Sequence, residues 1–491
     1  MEAFIGGMGL LLDPKILLVV FAGTLIGIIV GALPGISGST TTALLLPFTI
    51  TMGPVPAIAF LGAIYCAANF GGSITAILVN SPGDPSASAT AFDGYPMAVR
   101  GEAGRALGMS AVASAIGGIF SVVVLIFAAP LLARMAYSFG PPEYFALAVF
   151  GLSMVAMSGG DSAVKNLIAG AFGVMLATVG QDITTGVERY TFGIYSFTDG
   201  IEFIPVLIGL FALTELLEQA SQLARRTAMA RLGAVRLPSW ADVRKCAKAI
   251  SLSSVLGTFI GVLPALGATT AAMIAYVETK RWSSNKEEFG KGAIEGVAGP
   301  EAANNAAVGG AMVPTLALGI PGSGTTAIIL AGLIVQGVRP GPHLFTEQPT
   351  LLYAVFSSML LANLLYLVLG LGFAKLFARI TQIPPQFLWP AVFVLSVIGA
   401  YAPNQAMAEV WVAIVFGFIG FFMRRFGFSP APLVIGLVLG KLVEETLKQS
   451  LIIFDLSWSG FLGRPIALTL FALTALFLLA PWALQRLRAR P

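Results

Sequence analysis

Long apolar runs separated by short polar connections repeat along the whole chain. Apolar stretches fall near 16–50, 54–92, 108–133, 142–157, 163–180, 201–220, 250–279, 292–335, 353–372, 388–399, 409–423, 430–447 and 465–484. Most are long enough for an α-helix to cross about 30 Å of hydrocarbon. The hydrophobicity is continuous and does not alternate with period two, which excludes a closed β-barrel. The pattern predicts an all-α polytopic membrane protein with about 12 membrane segments.

Composition agrees. Charged residues are 11% of the 491, against roughly 25% in a soluble domain, and hydrophobic residues are 57%. Mean hydropathy is +0.87. A soluble enzyme, a disordered chain and a nucleic-acid-binding domain are excluded. The net charge of +4 belongs to loops at a membrane surface. Cys66 and Cys246 lie in unlike surroundings, an apolar stretch and a basic one, so neither a disulfide nor a metal site is expected. The single histidine, His343, argues against histidine-based catalysis. The N-terminal run has no basic residue ahead of it and no small-x-small cleavage site, so it reads as mature protein.

Basic residues set an orientation. Arg225, Arg226, Arg231, Arg236, Arg244, Lys245 and Lys248 mark a cytoplasmic linker, and Arg486, Arg488 and Arg490 a cytoplasmic tail. Threading the spans between these anchors puts 21 basic residues inside and six outside, with Lys441 inside a helix. The N-terminus then lies outside. The expected parts are a first membrane repeat (1–224), the basic linker (225–249), a second repeat (250–450) and an extra span with its tail (451–491).

The two halves resemble each other. Gly23-Thr24-Leu25-Ile26-Gly27 returns as Gly257-Thr258-Phe259-Ile260-Gly261. Leu33-Pro34-Gly35 and its Ser/Thr run return as Leu263-Pro264-Ala265 and Thr269-Thr270. Gly71-Gly72 with Pro82-Gly83-Asp84-Pro85-Ser86 matches Gly309-Gly310 with Pro321-Gly322-Ser323-Gly324-Thr325. Ile208-Gly209-Leu210 matches Ile435-Gly436-Leu437. Equivalent points fall on opposite sides of the membrane, so the expectation is two inverted-topology repeats with Pro/Gly-broken helices or re-entrant hairpins.

The breaks at Pro34-Gly35, Pro82-Gly83, Pro264-Ala265 and Pro321-Gly322 free backbone groups that cannot face lipid. Hydroxyl residues follow them: Ser37, Ser39, Thr40 and Thr41, then Ser81, Ser86 and Ser88, then Thr269 and Thr270, then Ser323, Thr325 and Thr326. Helix N-termini after such breaks attract carboxylates, and carbonyls before them can coordinate Na⁺. The candidate substrate site is therefore Pro34, Gly35, Ser37, Gly38, Ser39, Thr40, Asn80, Ser81, Pro82, Gly83, Thr269, Thr270, Pro321, Gly322, Ser323, Gly324, Thr325 and Thr326. Candidate Na⁺ ligands lie near Gly35, Ser37, Asn80, Asp84, Gly267, Asn304, Asn305 and Ser323. The bland alternative is a set of kinks and close helix packing; four breaks at repeat-equivalent positions favour the site. Asp84 could be a cation ligand, a proton carrier or an N-cap. Asp93 reads as turn chemistry, Asp182 as a solvated or partner-docking residue, and Glu215 and Glu218 as snorkelling or paired groups. Trp389, Trp411 and Trp482 read as interface anchors.

At these motifs the chain resembles the large, TctA-like membrane subunit of the tripartite tricarboxylate transporters. The stretches that carry the likeness are 23–49, 69–108, 257–281 and 317–342. The resemblance implies a translocation subunit working with a small membrane subunit of about four spans and a periplasmic solute-binding protein, with a homodimer of the complex also open. It implies uptake of citrate or another carboxylate driven by Na⁺ or H⁺, with no other cofactor. The absence of a GxxxxGK[ST] loop agrees with secondary transport. Asp84 departs from the small or hydroxyl residue usual at its position in that family, and Ala265 replaces glycine. An intramembrane aspartyl protease using Asp84 and Asp161, or a channel, are the competing readings. The transporter reading expects the broken regions to meet near the bilayer centre and one bundle to move against the rest as an elevator.

Overall fold

A computed structural model describes the chain except residues 1, 34, 156–161, 183–184, 222–236, 265, 374–375, 378, 380–384 and 489–491, and except the side chains of 3, 385–388 and 480–488. Pro34, Ala265, Asp161, Arg225, Arg226, Arg231, Arg236 and Arg490 thus lie outside the described residues, as do the side chains of Trp482, Arg486 and Arg488.

The first half runs α1 (Glu2–Leu10), α2 (Pro14–Gly31), α3 (Gly38–Leu45), α4 (Pro54–Val79), α5 (Ser88–Val99), α6 (Ala103–Ala136), α7 (Pro141–Val155) and α8 (Ala163–Ala177). A short hairpin follows, β1 (Gly180–Gln181) against β2 (Glu188–Arg189). Then come α9 (Phe203–Leu207), a π-helical turn (Ile208–Leu213) and α10 (Thr214–Ser221). The second half has α11 (Trp240–Val262), α12 (Gly267–Trp282), α13 (Ile294–Leu318), α14 (Gly324–Val335), α15 (Leu344–Glu347), α16 (Pro349–Gly372), α17 (Pro385–Tyr401), α18 (Met407–Arg425), α19 (Pro430–Ile453) and α20 (Pro465–Arg488). Seven of the described helices are long and apolar enough to cross a membrane. The protein is an all-α, multi-pass membrane protein.

Four of the long apolar stretches are each two helices joined at a Pro/Gly break: α2–α3, α4–α5, α11–α12 and α13–α14. The breaks have local causes. α4 ends at Asn80 and α13 at Gly319, both left-handed (φ 54° and 71°), which turns the chain out of the helix. α3 restarts at Ser37, whose hydroxyl accepts from Thr40 N; α14 restarts at Ser323, which accepts from Thr326 N.

α11 begins inside the stretch expected to be linker. Ser239 and Asp242 form a reciprocal capping box, so the helix starts at Trp240 and carries Arg244, Lys245 and Lys248. Asp93 is no turn residue either. It lies in α5, fully buried, and accepts from the backbone N–H of Gly290, Gly292 and Ala293 and from Tyr276. With its side chain used across the fold, the helix continues through Gly94.

Small residues let helices approach closely in both halves. A Cβ on Gly27 would sit 2.8 Å from Ala67 Cβ on α4; one on Gly261 would sit 2.5 Å from Ala307 O on α13. The halves also pack through each other. α13 lies along α6, and α19 lies along α8 with Gly436 against Gly170. Ion pairs tie the ends. Arg424 on α18 holds Glu215 (2.6 Å) and Glu218 (2.5 Å) on α10, so both are paired. Asp182 is buried, not solvated: it meets Lys448 and Arg189, which also bind Glu444 on α19.

Candidate functional site

The four breaks converge. The start of α3 faces the start of α14, and the Ser39 and Thr325 hydroxyls share a hydrogen bond of 2.8 Å. Each is the second residue of its helix, after Ser37-Gly38 and Ser323-Gly324 respectively. Tyr65 of α4 reaches Ser323 Oγ (3.2 Å). The N-terminus of α12 completes the group: it packs on the 3₁₀ turn Pro85–Ala87 after the second break, and Gly267 approaches Ser323. Gly35, Ser37, Ser39, Ser81, Pro82, Gly267, Thr269, Thr270, Ser323 and Gly324 are half-buried, and Thr40, Thr325 and Thr326 are buried behind them. A polar, partly accessible cleft lined from both halves results.

The helix termini in this cleft differ electrostatically. Gly38 N at the start of α3 donates to Asp84 Oδ2 (2.9 Å), while Asp84 Oδ1 accepts from Ser86 N (2.9 Å) and Ser86 Oγ (2.7 Å). Asp84 thus caps the second break and neutralises the positive end of α3 at once. The start of α12 carries no side-chain cap, and Thr269 and Thr270 hydroxyls have no hydrogen-bond partner among the described residues. Ser323 stands where the first half has Asp84, each the residue after a Pro-Gly pair. The free N–H groups and the uncompensated dipole therefore belong to the start of α12.

Other expected site residues have different positions. Asn80 is an exposed left-handed cap. Gly83 packs on Gly31 of α2 and on Gly72 and Thr75 of α4, and Gly322 on Ala311 of α13, so these glycines let each break lie flat against the preceding helix and, in the first half, against α2 as well. Asn305 faces away from the breaks: it accepts from Tyr366 of α16 (3.5 Å) and donates to Glu301 O (3.3 Å). Asn304 is fully buried with neither amide atom hydrogen-bonded. It lies two turns before Ala311, on the α13 face that meets Gly322.

The chain matches the Tripartite tricarboxylate transporter TctA family over residues 17–435. It belongs to that family. One relative from Agrobacterium vitis, the "Uncharacterized 52.8 kDa protein in TAR-I ttuC' 3'region", is 42% identical over 452 residues, 92% of this chain and 90% of its own. A second from the same organism, the "Uncharacterized protein in TAR-II ttuC' 3'region", is 42% identical over 217 residues, 44% of this chain and 90% of its own. No solved structure matches the chain. TctA proteins are transporter subunits, not enzymes, and work in three-part systems with a binding protein and a small membrane subunit. For the protease reading, Asp161 lies outside the described residues and both Asp84 oxygens are engaged.

Several features of this TctA-family chain escape sequence reasoning. Tyr65 and Asn69 of α4 border the cleft; Asn69 Oδ1 accepts from Ser86 Oγ (3.5 Å), and its Nδ2 is buried without a partner. The π-helical turn brings Phe211 under it, where the Phe211 carbonyl accepts from Thr40 (3.4 Å). Glu301 of α13 is fully buried among four hydroxyls. The one available signal was the Glu itself, an acid inside the apolar stretch 292–335.

Proposed function

We propose that this chain is the translocation subunit of a binding-protein-dependent secondary transporter that imports a carboxylate, such as citrate or another di- or tricarboxylate, on a Na⁺ or H⁺ gradient. The observation that carries this reading is the Ser39–Thr325 contact, which joins N-termini of broken helices from the two halves in one hydroxyl-lined cleft. An anionic group suits the start of α12, with Gly267, Thr269, Thr270 and Ser323 around it, because no protein carboxylate occupies that terminus. The start of α3, already held by Asp84, suits it less.

Matched contacts support two repeats of opposed topology. Gly83 lies on Gly72 as Gly322 lies on Ala311, and the caps Asn80 and Gly319 direct their N–H groups to Thr75 O and Pro314 O. α3 meets α14 as α12 meets the Pro85–Ala87 turn. Exchange of such pairings would open the cleft to alternate sides, with the broken-helix bundle moving as an elevator. Ion pairs support the orientation: Arg105 with Asp242 at the basic face, Lys448 with Asp182 at the other.

The test is uptake of labelled citrate and other carboxylates by cells expressing the chain with its two partner subunits. Uptake needing all three chains and an ion gradient is expected. Uptake that persists without this chain would overturn the reading.

A further inference from the structure

Among the buried carboxylates around the broken helices, three are held differently. Asp84 accepts from two backbone N–H groups and a hydroxyl, and Asp93 from three N–H groups and a phenol. An N–H can donate but never accept, so these partners match a group that only accepts. Glu301 has hydroxyl partners alone. Ser73 Oγ of α4 (2.5 Å) and Thr90 Oγ1 of α5 donate to Oε1; Ser110 Oγ (2.9 Å) and Ser114 Oγ (2.8 Å) of α6 donate to Oε2. A hydroxyl donates or accepts by rotating. The cage can give four bonds to a carboxylate, or give three and accept one from a carboxylic acid, without moving a backbone atom.

Charge makes the same distinction. Glu301 is 0% exposed, and among the described residues no Lys, Arg or His bonds it. The titratable groups that face it are Tyr366 of α16 and, beyond it, Cys66 of α4, neither a cation. α6 offers its two serines, α5 offers Thr90 with Asp93 engaged elsewhere, and α11 and α12 meet α13 through Gly257, Gly261 and Thr279. A buried carboxylate with no positive partner is costly unless something neutralises it.

From this cage we infer that Glu301 is the transporter's proton-binding carboxylate, at a site separate from the substrate cleft. It rests on the secondary-transport reading above. The cage spans the halves: α13 of the second is held by α4, α5 and α6 of the first. Gaining or losing a proton there alters how firmly α13 is tied to those helices, which is what coupling needs.

The test has two arms. Infrared difference spectra of the purified full chain in lipid, taken across a pH titration, should contain a carboxyl C=O band that Glu301→Gln removes. In proteoliposomes with the partner subunits, Glu301→Gln should abolish accumulation of labelled citrate driven by a pH gradient while exchange of citrate persists. A carboxyl band unchanged by Glu301→Gln, or full gradient-driven accumulation by that variant, overturns the inference. If wild type moves no citrate, the transport reading is what suffers, and the infrared arm still decides the proton site. Should Glu301→Gln fail to insert, Ser114→Ala removes one hydroxyl from the cage and should shift the band; a band that stays put overturns the inference.

Discussion

Ser39 and Thr325 are 286 residues apart in sequence and share a 2.8 Å hydrogen bond between the first turns of two helices. Neither helix would start there without its break. Phe211 and Ala431 pack on Gly324 at the rim. The contact is small and half-accessible on one side, as the proposed opening and closing of the cleft requires.

Replacing Ser39 or Thr325 by leucine should abolish carboxylate uptake while leaving membrane insertion intact. The added bulk fills the cleft and removes a hydroxyl without touching the cap bonds of Ser37 or Ser323. The alanine pair should be non-additive in thermal stability, with a coupling of about 1 kcal/mol for one hydrogen bond. Normal uptake by the leucine variants would remove these residues from the site.

Asp84 holds Gly38 N and Ser86 N together across two breaks. Asp84→Ala leaves both N–H groups buried without a partner, at about 1–3 kcal/mol each. A lowered melting temperature in detergent is expected, together with reduced uptake. Asp84→Asn keeps one acceptor oxygen and should lie between wild type and alanine. An unchanged melting temperature for the alanine variant would mean that water replaces the carboxylate and the breaks are open there.

The breaks were legible because their cause is local. Proline, glycine and a following Ser-x-x-Thr cap act within a few residues, so the split of 16–50 into α2 and α3 shows in the residue types alone. The Glu301 cage was not legible. Its hydroxyls come from 187 to 228 residues away, and serines in apolar helices look alike until the helices pack. Asp93 misled for a similar reason: beside Gly94 and Pro96 it resembles a turn residue, and its real partners lie about 200 residues on. The start of α11 was hidden by charge, since the Ser239–Asp242 box sits among basic residues that suit a linker equally well.

Close packing should be equally unforgiving in the two halves. Gly27→Val drives a side chain into Ala67 and Ile64, and Gly261→Val drives one into the Ala307 backbone. Each should cost about 1–3 kcal/mol or more, seen as a lower melting temperature and less folded protein in the membrane. Similar losses support equivalent roles for the two helix pairs, α2–α4 and α11–α13. Tolerance of one and not the other would break that equivalence.

Orientation can be read with cysteines. Cys66 and Cys246 are buried, so background labelling is low. Tyr195 is 91% exposed in the segment that follows the Asp182–Arg189–Lys448 ion pairs, and Trp240 is 79% exposed beside the Arg105–Asp242 pair. The first network has few other basic residues around it; the second sits in the densest basic stretch of the chain. A membrane-impermeant maleimide should therefore label Tyr195→Cys in intact cells and Trp240→Cys after permeabilisation alone. The opposite pattern would turn the whole threading over, and with it the side from which a binding protein reaches the cleft. Labelling of both in intact cells would place the two ion-pair networks on one side, which the proposed inverted relation between the halves does not allow.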